Sequence, residues 1–387
     1  MKRWAALLLC LMLAACAAMP AEQLPQRNST LFHDGFFNPP IQRIDAADVF
    51  AVSDEMRAFL TGEMTRLIRL KGSQHGLFDA LYDKASLKLE YDAAQTRNAS
   101  QAFAGRAGNC LSLVIMTAAF AKELGMPVHY QHVFADETWS RSGDFYLSIG
   151  HVNVSLGARL TEYSPNEVTM TIDFLPPKDL RGLRTWALDE STIVAMYMNN
   201  RAVESLTDGN INDAYWWSRE AIVQDSRFLT AFNTLAVVYQ LHGNLAEAQQ
   251  SLEYVLEREP ANTRAMSNLA SVLTARGELV AARDLRNRLE QMEPNPPFGY
   301  YKRGLAAMNE GNYKLAKEMF SREVNRAAYY HEFHFWLALA YVGLGDMEHA
   351  REHMSIAADN STTRKDHDLY AAKLERLRAS TPPVIRR

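Results

Sequence analysis

Three residue types that carry nucleophilic catalysis occur along the chain in the order Cys110, His151 and Asp173. Cys110 begins a largely apolar segment that stops before Gly125, and this pattern predicts a buried helix with the cysteine in its first turn. Unpaired backbone N–H groups and the positive end of the helix dipole stabilise a thiolate at such a position. Cys110 is therefore interpreted either as a reactive thiol or as a small buried structural residue.

His151 and Asp173 lie in two segments, 151–156 (HVNVSL) and 169–174 (TMTIDF), in which polar and apolar residues alternate. Strict alternation predicts strands with one polar and one apolar face. If the two strands are antiparallel neighbours, one register pairs the polar residues as His151 with Asp173, Asn153 with Thr171, and Ser155 with Thr169. Directly opposite Cβ atoms lie about 5 Å apart, which suits a hydrogen bond from imidazole to carboxylate.

The strings RAGNCLSLVIMTAAFAKELGMPVHYQHV, GHVNV and TIDFLP resemble the bacterial transglutaminase-like superfamily, over roughly residues 80 to 180. The resemblance implies a papain-type fold in which Cys110 is the nucleophile, His151 the general base and acid, and Asp173 the residue that orients the histidine. In such a site a thiolate attacks an acyl carbon while imidazole carries the proton. The backbone N–H of Cys110 is a natural oxyanion donor, and the sequence assigns no second one.

The other histidines point to no further chemistry. His129 and His132 flank a predicted strand and are interpreted as packing or surface residues. No pair of His or Cys residues has the spacing of metal ligands, so we expect neither a metal nor another cofactor. The net charge of −4 gives no reason to expect nucleic acid as a partner.

The amino terminus has the form of a secretory signal. Lys2 and Arg3 precede an apolar run that ends in Leu-Ala-Ala before Cys16. The run is too short to span a bilayer, which needs about 20 apolar residues. The string Leu-Ala-Ala-Cys resembles the bacterial lipobox, which implies cleavage before Cys16 and attachment of lipid to its thiol. Because Ala17 replaces the aspartate of inner-membrane lipoproteins, the resemblance implies an outer-membrane lipoprotein that faces the periplasm of a Gram-negative host.

The second half of the chain repeats with a period of 34 residues. Each repeat has a glycine five residues before an alanine, and these alanines are Ala214, Ala248, Ala282, Ala316 and Ala350. Glycine ends the first helix of a pair without steric cost, and alanine lets the two helices approach closely. A helix-turn-helix unit of this length resembles the tetratricopeptide repeat, or TPR. Such an array is expected to bury a continuous core, to fold by itself and to bind a protein or peptide.

Together, these patterns predict an α+β papain- or transglutaminase-like domain followed by an all-α TPR solenoid. Large aromatic residues of the array are candidates for a peptide groove, although packing between repeats is the commoner role: Trp216, Trp217, Tyr300, Tyr301, Tyr329 and Tyr330. The predicted parts are a signal peptide (1–15), a tether (16–40), the α+β domain (41–190), five repeats (195–364), a capping helix (365–378) and a tail (379–387).

Two classes of function fit this organisation. In the first, the protein is a cysteine hydrolase or acyltransferase that acts on peptide or amide bonds of the cell envelope, and the repeats recruit the substrate. In the second, the transglutaminase-like domain is catalytically silent, and the lipoprotein is a scaffold for envelope protein complexes. The predicted triad favours the first class. Hydrolysis and transfer share one acyl-enzyme and differ in the nucleophile that resolves it.

Overall fold

The structure, a computed structural model, describes residues 30–82, 87, 89–93, 95–142, 145–157, 169–174, 184–361 and 363–379. The signal peptide, Cys16 and most of the tether lie outside the described residues, as does the tail after Ala379. Among the described residues, no helix has both the length and the apolar character needed to cross a bilayer.

The predicted amphipathic segment of the first region folds as three short helical pieces. These are α1 (Asp54–Phe59), a π-helical turn (Leu60–Met64) and α2 (Thr65–Lys71). The Ser53 hydroxyl accepts a hydrogen bond from the Met56 N–H at 3.3 Å and so caps the start of α1.

Three further helices complete the helical part of this region: α3 (Ser73–Tyr82), α4 (Ala99–Gly105) and α5 (Cys110–Glu123). Cys110 is the first residue of α5, as predicted. Every residue of α5 up to Ala121 is buried. Gly125 then adopts a φ of +68°, which an L side chain rarely tolerates, and this turn ends the helix.

Six strands are described, two of them in a small parallel pair and four in an antiparallel sheet of order β5-β4-β3-β6. They are β1 (Glu90–Tyr91), β2 (Ala107–Gly108), β3 (Val128–Ser142), β4 (Phe145–Leu156), β5 (Met170–Ile172) and β6 (Arg184–Leu188). Helix α5 packs on β4, which is an interior strand. All six residues 151–156 are buried, so both the polar and the apolar face of β4 are covered.

The register between β4 and β5 also differs from the prediction. Ser155 lies opposite Thr171, not Thr169, and the two hydroxyl oxygens are 2.7 Å apart. The strands are thus shifted by two residues. A two-residue shift keeps every side chain on its face, because side chains alternate with a period of two. Asp173 therefore stays on the same face as His151 but lies diagonally from it.

The repeating half forms five consecutive helix pairs and a final helix over residues 190–361 and 363–379. The pairs are α6 (Glu190–Thr207) with α7 (Ile211–Gln224), α8 (Leu229–His242) with α9 (Leu245–Arg258), α10 (Thr263–Ala275) with α11 (Leu279–Met292), α12 (Gly299–Asn309) with α13 (Tyr313–Arg326), and α14 (His331–Gly343) with α15 (Met347–Asp359), followed by α16 (Arg364–Ala379). The five periodic glycines have φ between +71° and +94°, and the five periodic alanines are fully buried. Both sequence-based roles are confirmed.

The core of the array is interrupted after the third pair, although the sequence predicts continuity. One buried cluster ends with Ala282 in α11, and the next begins with Phe298. Leu279 of α11 is 62% exposed. The first helices of other pairs start at Leu229, Thr263 and His331, and the equivalent position is occupied by Pro297. Helix α12 starts two residues after this position, at Gly299, and its N-cap residue Phe298 has a left-handed φ of +59°.

The first three pairs share their core with the α+β region. Buried residues of α5, including Ile115, and of α6, including Ile193 and Met198, belong to one cluster. Glu190 joins the regions on the surface, because it contacts Lys122 at 2.5 Å and accepts from the Tyr130 hydroxyl at 2.9 Å. The expectation that the array folds independently is therefore not supported for its first helix, which completes the core of the preceding region.

Candidate functional site

The three predicted residues converge at the N-terminus of α5. His151 Nε2 lies 2.6 Å from Asp173 Oδ1, and His151 is also within hydrogen-bonding reach of the Cys110 side chain. Because Nε2 is engaged by the aspartate, Nδ1 is the ring nitrogen that remains for the sulfur. Cys110 and His151 are only 4% and 3% exposed. The structure therefore brings the three predicted residues together, with the thiol buried.

The local sequence before Cys110 explains how the thiol is presented. Asn109 caps α5: its side-chain oxygen accepts from the Ser112 N–H at 2.9 Å. Gly108 packs so closely on Ser112 that an added Cβ would lie 2.7 Å from the serine Cβ. Arg106 adopts a left-handed conformation with a φ of +48°. These features turn the chain sharply into α5, so that Cys110 occupies its first position.

The cap is itself held from the repeat array. Asn109 Nδ2 donates to the buried hydroxyl of Thr96 at 2.9 Å. The backbone N–H of Thr96 donates to Glu204 of α6 at 2.6 Å, and Asn200 of α6 donates to the Thr96 hydroxyl at 3.3 Å. Hydrogen bonds thus run from the first repeat helix to the N-terminus of the cysteine helix. No local sequence pattern signals this connection, because its members are about 100 residues apart.

His151 is poised to carry a positive charge. Burial lowers the pKa of His151, but hydrogen bonds from the ring to Asp173 and Cys110 outweigh it and raise the pKa to about 9. Asn153 donates to the second oxygen of Asp173 at 3.1 Å, which fixes the carboxylate. An imidazolium between a carboxylate and a sulfur is the arrangement that holds a thiolate ready for attack.

His132 and Trp186 flank this arrangement on the neighbouring strands. Their rings stack at a centroid distance of 4.8 Å, and they occupy paired positions of β3 and β6. Burial and the nearby His151 lower the pKa of His132, which favours its neutral form. The interpretation of His132 as a packing residue agrees with this stacking. Among the described residues, no group of three His, Cys, Asp or Glu side chains is arranged to hold a metal ion.

Sequence reasoning missed one residue at the site, Tyr91. Its hydroxyl lies beside Cys110, and the backbone N–H of Cys110 points toward it. The tyrosine reaches the site through a nonlocal strand pairing between β1 and β2. A two-residue strand has no recognisable hydrophobic period, so no local pattern announces it.

Several of the aromatic residues proposed for a peptide groove pack against other parts of the chain. Trp216 Nε1 donates to the Asn38 carbonyl at 2.7 Å, and Arg219 contacts Asp34 at 2.9 Å. The end of the predicted tether thus packs across α7, because its Trp216 and Arg219 hold residues 34 and 38 by polar contacts. Trp217 and Tyr301 are buried. Packing within the chain is accordingly the observed role of Trp216, Trp217 and Tyr301.

Comparison with known families identifies the repeating half. The tetratricopeptide repeat family matches residues 240–306 and 301–364. Among solved structures, MamA is 21% identical and covers 45% of this chain and 93% of its own, with a TM-score of 0.25. YrrB, described as a TPR protein with an unusual peptide-binding site, is 21% identical and covers 46% of this chain and 92% of its own, with a TM-score of 0.25. A TPR protein in Thermus thermophilus is 18% identical and covers 47% of this chain and 99% of its own, with a TM-score of 0.31.

The comparison with curated proteins found no match to this chain. The second half of the chain is thus an all-helical array that contains tetratricopeptide repeats, an architecture that supplies extended surfaces for protein binding.

Proposed function

We propose that the chain is a transglutaminase-like cysteine hydrolase or acyltransferase with Cys110 as its nucleophile. The contact of His151 with Asp173 on one side and Cys110 on the other carries this proposal. In the reaction, the thiolate attacks an acyl carbon and forms an acyl-enzyme, while the imidazolium protonates the leaving group. His151 then removes a proton from water or an amine, which attacks the thioester and regenerates the thiol.

The repeats would bring a protein or peptide to this site, and the lipid on Cys16 would keep the enzyme at the outer membrane. Repeat arrays use extended surfaces for such binding. The polar connection from Glu204 through Thr96 to Asn109 joins the array to the cysteine helix. A peptide or amide bond of an envelope protein or peptidoglycan peptide is the substrate class that fits this placement.

A second function, a silent scaffold for envelope complexes, is favoured by one observation. Cys110 is 4% exposed, and a nucleophile must be reached by its substrate. In a scaffold, the buried trio would stabilise the fold, and the repeats alone would carry the activity.

Alkylation of Cys110 by iodoacetamide separates the two functions without a known substrate. The full chain is labelled across a pH series, and the Cys110 peptide is quantified by mass spectrometry. If the enzyme reading holds, the wild type is labelled near neutral pH, and His151→Ala moves the profile to higher pH because the imidazolium is lost. Asp173→Asn should change the profile less, because it disturbs histidine orientation rather than the sulfur. Slow labelling at every pH, with no response to His151→Ala, contradicts the enzyme.

The anchor is tested independently of the chemistry. Cys16→Ala should abolish incorporation of labelled fatty acid and release the protein from the membrane fraction, because the thioether needs that thiol. Fatty acid that still enters the mutant contradicts the lipobox assignment. Separation of inner and outer membranes of the wild type then tests the proposed location.

A further inference from the structure

Tyr91 lies beside the nucleophile because β1 is paired with the segment that leads into α5. In the parallel ladder, Tyr91 lies opposite Gly108, and the next residue, Asp92, donates its N–H to the Gly108 carbonyl at 3.1 Å. Gly108 is two positions before Cys110. The backbone of Tyr91 is therefore fixed to the same turn that presents the thiol.

A half-buried ion pair holds this pairing in place. Asp92 contacts Arg97 Nη2 at 2.8 Å, and Arg97 Nη1 donates to the Ala107 carbonyl at 3.2 Å. The Arg97 backbone N–H donates to the Ser112 hydroxyl in the first turn of α5 at 2.8 Å. Arg97 thus contacts the strand of Tyr91, the strand before Cys110 and the cysteine helix. Tyr91 is held against the thiol by side chains that do no chemistry themselves.

The hydroxyl of Tyr91 reaches the group that an acyl oxygen would use. The backbone N–H of Cys110 points toward it. Burial of the hydroxyl and the charge of the adjacent sulfur raise the pKa of Tyr91 above its usual value, so it keeps its proton near neutral pH. The residue as a whole is 44% exposed, whereas Cys110 is 4% exposed. The phenol is thus a neutral hydrogen-bond donor between solvent and the sulfur.

We propose that the Tyr91 hydroxyl is the second oxyanion donor of the Cys110 site, beside the Cys110 backbone N–H. This inference rests on the proposed acyl-transfer function. When a carbonyl oxygen takes the N–H that now points to the phenol oxygen, the phenol O–H turns to donate to the same oxygen. Two donors then stabilise the negative charge that develops as the C–S bond forms and the carbonyl double bond opens.

The test uses two reagents that differ in whether an oxyanion forms. With p-nitrophenyl acetate, the Cys110 thiolate attacks the acetyl carbon, an oxyanion forms, and p-nitrophenolate leaves as the acetyl thioester is made. With iodoacetamide, the sulfur displaces iodide directly, and no oxyanion forms. Tyr91→Phe should slow acetylation about 10²-fold, the usual effect of losing one oxyanion donor. It should leave the alkylation rate within about twofold, because the thiolate itself is retained.

Two further variants complete the experiment. Tyr313→Phe removes the hydroxyl of a tyrosine in the array that is 36% exposed, and it should change neither rate. Asp92→Asn loosens the ion pair with Arg97 while keeping the phenol, and it should slow acetylation less than Tyr91→Phe does. If Tyr91→Phe is too unstable to assay, Asp92→Asn still tests the inference.

The outcomes separate this inference from the function on which it rests. If the wild type is acetylated no faster than His151→Ala, the acyl-transfer function and the inference both fail. If the wild type is acetylated and Tyr91→Phe matches or exceeds it, only the oxyanion role is overturned, because the phenol then merely fills the site. A parallel loss of acetylation and alkylation in Tyr91→Phe also overturns it, since the phenol would then position the thiol.

Discussion

The α+β region and the repeat array bury different kinds of side chain. In β4 the buried residues include His151, Asn153 and Ser155, and each is hydrogen-bonded to a residue of a neighbouring segment. In the array, the buried periodic positions are alanines, and the turns depend on glycine conformation. The first region is therefore specified by long-range polar pairing, and the second by short-range packing. Long-range pairing costs more chain entropy and leaves weaker traces in sequence.

The same contrast appears in the histidines. His151 is stabilised in its charged form, with its pKa raised to about 9. In the last repeat, His334 and His353 bring their Nδ1 atoms to 2.9 Å, and burial lowers the pKa of both. His334 Nε2 must donate to the Ala328 carbonyl at 2.9 Å, so its Nδ1 accepts from His353 while both rings are neutral. Rising pH is therefore expected to destabilise the Cys110 site, and falling pH the last repeat.

The largest expected effect tests whether the site and the array share a core. Phe232 and Phe298 are both fully buried, but Phe232 belongs to the shared cluster and Phe298 to the separate one. Truncation of either to alanine should cost about 3–5 kcal/mol locally. Phe232→Ala should also slow alkylation of Cys110, whereas Phe298→Ala should leave it unchanged. Thermal melting and Cys110 labelling of the two variants measure this, and equal effects on labelling contradict the division into two cores.

The next effect concerns the turn that presents the thiol. Gly108→Ala places a Cβ 2.7 Å from the Ser112 Cβ, so the N-terminus of α5 must move. A displacement of about 1 Å can cost up to about 10²-fold in reactivity, and we expect alkylation of Cys110 to slow accordingly. Gly35→Ala is the matched control, because nothing lies within 4 Å of its added Cβ. An unchanged alkylation rate in Gly108→Ala argues against a precisely held thiol.

A third prediction tests close packing in the array. Ala282 of α11 is fully buried, so Ala282→Leu should lower the free energy of unfolding by about 1–3 kcal/mol through overpacking. Leu279→Ala in the same helix removes a side chain that is 62% exposed and should change it by less than about 0.5 kcal/mol. Denaturant unfolding of both variants provides the measurement. A neutral Ala282→Leu means that α11 is free to shift away from its partner.

The smallest effects are pH-dependent and have opposite signs. The raised pKa of His151 gives a contribution to stability that is complete below pH about 6.5 and is lost as pH rises through about 9. The lowered pKa of His353 gives a contribution that is complete above pH about 6.5 and is lost as pH falls. His151→Gln should therefore flatten the alkaline side of a plot of melting temperature against pH, and His353→Gln the acid side. Exchange of these two effects between the variants contradicts both assignments.

Part of the site could be predicted from sequence because its signals are local. The apolar run after Cys110 and the alternation around His151 and Asp173 place these residues on a helix start and two strands. Their meeting required an assumed pairing, and the predicted register was wrong by two residues. The predicted contact between His151 and Asp173 is nevertheless present, because a shift of two residues leaves Asp173 on the same face as His151. The burial of Cys110 depended on elements that pack from elsewhere in the chain.

Sequence alone determined the repeat architecture, because a period of 34 residues, left-handed glycines and buried alanines are imposed within each repeat. Only the tertiary structure decided which helices of the array share a core with the α+β region and which do not. Its first helix lies in the core of the α+β region, and Glu204 supports the cap of α5 through Thr96. The buried core is interrupted between α11 and α12, where α12 starts two residues late. Such contacts join segments far apart in sequence, so no local pattern encodes them.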